Sequence, residues 1–115
     1  MIWYEDLYVG ESIVHKTNQI KWKICHNAGQ IHIYVIALAS NPKDLLDIIP
    51  SRELLQKGYP KKELYIVGLA KGYDEALEVA VSIVDEVYRE TGTFAVRSYL
   101  TKKTQDGEAG CQSYC

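Results

Sequence analysis

Two stretches of the chain, 31–38 (IHIYVIAL) and 64–70 (LYIVGLA), are apolar almost without interruption and rich in β-branched and aromatic residues. That pattern suits strands covered on both faces, as in a parallel sheet. The segment between them reads as helical cover. Asn41-Pro42-Lys43-Asp44 combines an amide cap, a proline at the first helical position and an acid in the first turn. Leu45, Leu46, Ile48 and Ile49 then supply an apolar face until Pro50 interrupts it. Ser51 can cap a second short helix holding Leu54 and Leu55, closed by Gly58-Tyr59-Pro60. A connection of this length suits a right-handed crossover between parallel strands.

The pattern repeats downstream. Over 73–90, Leu77, Ala80, Val81, Val84 and Tyr88 line one helical stripe, widened by Ala76, Ile83 and Val87. Glu75, Glu78, Ser82, Asp85, Glu86 and Arg89 hold the opposite side, and Gly92 ends the helix. In 93–100, Phe94, Val96, Ser98 and Leu100 alternate with Ala95, Arg97 and Tyr99, which predicts an edge strand with one wetter face.

The first thirty residues allow two readings. Ser12 caps a helix over 12–27 with a face of Ile13, Thr17, Ile20 and Ile24; alternatively Ile20–Ile24 alternates as a strand turning at 26–29 into Ile31. The helix is preferred, because the hairpin leaves fewer helices to cover the sheet. Before it lies an apolar leader, Trp3, Tyr4, Leu7, Tyr8 and Val9, which either adds a strand or packs on a neighbouring subunit.

The expected fold is therefore α/β, with a small open, mainly parallel three-stranded sheet (31–38, 63–70, 93–100). Helices over 12–27, 42–57 and 73–90 cover it in the order α-β-α-β-α-β. Residues 1–100 form a single domain, and the polar, aperiodic 101–115 reads as a flexible tail.

Composition narrows the function without naming it. The 115 residues carry 13 basic and 15 acidic side chains, a net charge of −2. That balance does not steer the chain to nucleic acid or to an anionic membrane. No stretch approaches the roughly 18 apolar residues of a membrane span. The leader lacks a signal peptide's basic start. Three cysteines, Cys25, Cys111 and Cys115, are an odd and sparse set, so reduced thiols and a cytoplasmic location are expected. Nine tyrosines against a single Phe are the compositional oddity. Tyrosines collect at core edges and interfaces, where the ring is buried and the hydroxyl is wet.

In an open parallel sheet a ligand sits beyond the carboxyl ends of the strands. That places Ser40 and Asn41 after the first long run and Lys71, Gly72 and Asp74 after the second as candidate small-molecule or anion ligands. The plainer explanation is that these loops merely open helices, and neither phosphate-binding glycine motif is present. Cys25, His26 and His32 lack any closed zinc spacing, so no metal and no cofactor are expected. A Ser40–His32 pair would stand about 26 Å apart along a strand, which rules out nucleophilic catalysis by that pair. The reading favours a non-catalytic binding or regulatory module acting through self-association or a protein partner, with Trp3, Tyr4, Leu7, Tyr8 and Tyr99 as candidate interface residues. The alternative is a small ligand-binding domain or enzyme using the Ser40–Asn41 and Lys71–Asp74 loops.

Overall fold

The computed structural model describes residues 2–26, 28–38, 45–56, 64–96 and 98–100. Among them are four strands, β1 (Ile2–Val9), β2 (Ile33–Leu38), β3 (Leu46–Pro50) and β4 (Tyr65–Lys71). They form one sheet in the order β1-β4-β2-β3. β1 runs parallel to β4, whereas β2 is antiparallel to both β4 and β3. A 3₁₀ helix, Glu11–Lys16, leads into helix α1 (Thr17–Cys25); a second 3₁₀ helix, Ser51–Leu55, follows β3; helix α2 (Tyr73–Thr91) follows β4.

The expected α/β class and two-sided cover of the sheet are present. Trp3, Ile33, Val35 and Leu69 pack with Ile13, Ile20 and Ile24 of the α1 side. Tyr4, Ile36, Val67 and Ala70 pack with Ala76, Val79, Ile83 and Val87 of α2 on the other. Buried apolar side chains of this size contribute about 1.5–3 kcal/mol each. The central strands β2 and β4 are apolar on both faces for this reason. The expected helix over 12–27 forms, as 3₁₀ and then α, and the leader takes the strand alternative as β1.

Three expectations are corrected. The two long runs are antiparallel, not parallel: an unbroken apolar run reports burial on both faces but is silent on direction. Within the expected helix 42–57, Leu46–Pro50 is a strand and only Ser51–Leu55 is helical. There Leu46 and Ile48 face the α2 side while Ile49 is buried on the α1 side. Ile48-Ile49-Pro50 suits an edge strand better than a helix interior. The helix start at Asn41–Asp44 lies outside the described residues, as does the tail 101–115. Finally, the expected strand over 93–100 is helical at 96 and 98–100, with the Tyr99 N–H donating to the Ala95 carbonyl at 3.0 Å. Val96 and Leu100, four apart, both close the α2-side core, a spacing that serves one helical face as well as one strand face.

Helix α2 ends where Gly92, at φ 75°, turns left-handed and donates its N–H to the Tyr88 carbonyl at 2.7 Å. Its buried stripe is Ala76, Val79, Ile83 and Val87. The residues expected to lead the buried face, Leu77, Val81 and Tyr88, are exposed instead. The helix is apolar around more of its circumference than the sheet covers.

Candidate functional site

The crevice expected at Ser40–Asn41 and Lys71–Asp74 loses its geometric premise. Lys71 pairs with Ile33 at one end of the sheet, whereas Leu38, where β2 ends, pairs with Leu46 at the other. Ser40 and Asn41 lie outside the described residues. Lys71 and Asp74 are exposed, and Gly72, at φ 83°, donates its N–H to the His32 carbonyl at 2.6 Å. The amino end of α2 already holds an anion, the chain's own Glu75. Its carboxylate accepts the Lys71 N–H at 2.8 Å, the Ser12 hydroxyl at 2.8 Å and the Ser12 N–H at 3.4 Å. Partial burial raises the pKa of this carboxyl, but the bonds from Lys71 and Ser12 outweigh it and hold it below the ordinary value.

The residues expected at an interface build the chain's own interior. Trp3 and Tyr4 are buried, and Leu7 packs between both core clusters. Tyr4 and Tyr8 stack with ring centroids 5.9 Å apart. The Tyr8 hydroxyl donates to Glu86 Oε2 at 2.6 Å and the Tyr99 hydroxyl to the same oxygen at 3.2 Å. Burial, then the Glu86 bond and charge, push the Tyr8 hydroxyl far above the usual phenol range. These tyrosines tie β1 and the last helical turn to α2. Cys25 is disulfide-bonded, which corrects the expectation that all three thiols are reduced; Cys111 and Cys115 both lie outside the described residues.

The unsatisfied apolar surface lies elsewhere. A groove of about 600 Å³ runs between α2 and the edge strand β3. Leu46 and Ile48 form its floor, and Leu77, Val81, Val84 and Tyr88 form its α2 wall. Leu45 and Phe94 close its ends, and the Phe94 ring stacks on Tyr88 at 5.0 Å between centroids. Val81 is 65% exposed and Phe94 55%, an unusual concentration of large apolar side chains in water. Polar character enters at the rim, where Asp85 pairs with Arg89 at 2.8 Å. The sequence pattern puts Leu77, Val81, Val84 and Tyr88 on one stripe of α2 but implies that this stripe is core. The signal it lacked was width, since two adjacent apolar stripes exceed what one sheet contact can bury.

A second, more polar cavity of about 460 Å³ opens where β2 begins and β3 ends, lined by residues 29–34 and 50–52. His32, on its wall, stands in the left-handed region at φ 64°, a strained backbone state for a residue with a side chain. Ser51 is only 5% exposed, and its hydroxyl has no hydrogen-bond partner among the described residues.

Among the described residues there is no group of three or more His, Cys, Asp or Glu side chains arranged to hold a metal ion. No helix among them is long and apolar enough to cross a membrane. No family model, no curated protein and no solved structure matches the chain.

Proposed function

We propose that this chain is a non-catalytic binding module that works by self-association, with the α2–β3 groove as its contact surface and a second copy of the chain as its occupant. The supporting observation is the spacing of the exposed stripe. Leu77, Val81, Val84 and Tyr88 follow one another at intervals of four, three and four, the spacing of a helix-to-helix seam. That order reads the same in both directions. Two α2 helices packed antiparallel about a two-fold axis therefore match their own seams, as an isologous contact requires. Leu77 of one copy lies level with the partner's Tyr88, and Val81 with the partner's Val84, over about 16 Å of helix.

The strand side favours the same partner geometry. β3 is short, carries Asp47 and ends in Pro50, features that discourage edge-to-edge strand pairing. Helix against helix is the remaining way to cover the groove with a copy of the same surface.

Light scattering or sedimentation over about a hundredfold range of concentration tests the association. We expect a monomer–dimer equilibrium, and Val81→Asp shifts it to monomer while the fold is kept, since Val81 is 65% exposed in the single chain. A wild-type chain that stays monomeric throughout, or a Val81→Asp chain that still dimerises, overturns the reading.

A further inference from the structure

We infer that the cavity between the start of β2 and the end of β3 is a binding site for a small organic anion, with Arg52 as the residue that takes its charged group. The cavity, about 460 Å³, falls in the size range of small-molecule sites. Arg52 lines it and, among the described residues, has neither an ion pair nor a hydrogen bond. A guanidinium left unpaired offers a planar fork of donors that fits a carboxylate or a phosphate. His32 adds a second basic side chain on the same wall. Its strained backbone is locked in place by the 2.6 Å bond from the Gly72 N–H to its carbonyl, so its position is set by the end of β4 and not by a floppy loop.

The remaining wall supports the same ligand class. Ile31, 81% exposed, and Pro50 line it as well and provide an apolar surface for an organic body. Gln30 lines the cavity too, its side-chain amide donating to the Ile20 carbonyl at 3.5 Å. Among the described residues no acidic side chain lines the cavity to repel an anion. The site shares no residue with the α2–β3 groove and stands or falls independently of self-association.

Titration of the ¹⁵N-labelled full chain with benzoate, phenyl phosphate and benzylamine tests the site. Benzoate and phenyl phosphate separate a preference for carboxylate from one for phosphate, and benzylamine, a cation of similar shape, reports whether the sign of the charge matters. Saturable shifts at Gln30, His32, Ser51 and Arg52 with at least one anion, and none with benzylamine, are expected. Arg52→Gln should weaken that binding by about tenfold or more with an unchanged melting temperature, because Arg52 is exposed. Equal shifts with benzylamine, shifts located at Val81 and Tyr88 instead, unchanged affinity in Arg52→Gln, or no saturable shift with either anion would overturn the assignment.

Discussion

Glu75 connects two parts of the chain that are remote in sequence, and it does so with one carboxylate. By bonding the Lys71 N–H it satisfies a donor just ahead of α2, and by bonding Ser12 it anchors the first 3₁₀ helix. Glu75→Gln keeps the shape but trades charge-assisted bonds for neutral ones. The expected loss is about 1 kcal/mol near neutral pH, read by urea unfolding. The pH dependence has a definite sign. The folded-state carboxyl is held below its ordinary value of 4.5, so the native state favours the ionised form. Its contribution is complete above that ordinary value and is lost as pH falls through the lowered one. The gap between wild type and Glu75→Gln should therefore close in acid. A gap that persists there would mean the stabilisation comes from packing and not from the charge. Glu75 was legible only as a polar-face acid, because its partners come from two other elements.

At the scale of elements, periodicity located α2 and the two central strands well, and failed where two periods coincide. Val96 and Leu100 fit one face of a strand or of a helix, and the structure uses the helix to cap the α2-side core. Leu46, Ile48 and Ile49 were read as a helical face, but the β-branched pair before Pro50 suits an edge strand better, and the structure pairs it with β2. A different signal, a small residue in an apolar run, identifies how closely α2 lies on the sheet. A Cβ at Gly68 would stand 3.0 Å from the Tyr8 carbonyl oxygen, 3.2 Å from Val79 Cγ1 and 3.3 Å from Ile36 Cβ. The first of these is backbone of β1 and yields least. Gly68→Ala should cost about 1–3 kcal/mol by overpacking, although alanine ordinarily favours a strand over glycine. A neutral Gly68→Ala in urea unfolding would mean that α2, β1 and β2 approach β4 less tightly than this geometry requires.

Taken as a whole, the described residues cover both faces of the sheet and leave the apolar α2–β3 groove open. Strand direction was the feature least legible in the sequence, since it depends on which strands the loops join, and residues 42–57 conceal the extra strand that reverses the path. Leu77, Val81 and Tyr88 were legible as an apolar stripe but only as core, and none of the expected interface residues lines the groove, because the sheet's limited width divides burial on α2. If a second copy completes that surface, folding and association are linked, and the melting temperature must depend on concentration. Mass action predicts that a ligand present at about 100 times its dissociation constant adds about 2.7 kcal/mol; for a self-associating chain the ligand is the protein. The wild-type melting temperature should climb steadily as protein is concentrated. Val81→Asp should melt at one temperature throughout, matching wild type at its most dilute. This comparison separates lost association from lost folding, because a misfolded variant would melt lower even when dilute. A wild-type midpoint indifferent to concentration would leave the exposed seam without the partner that its palindromic spacing implies.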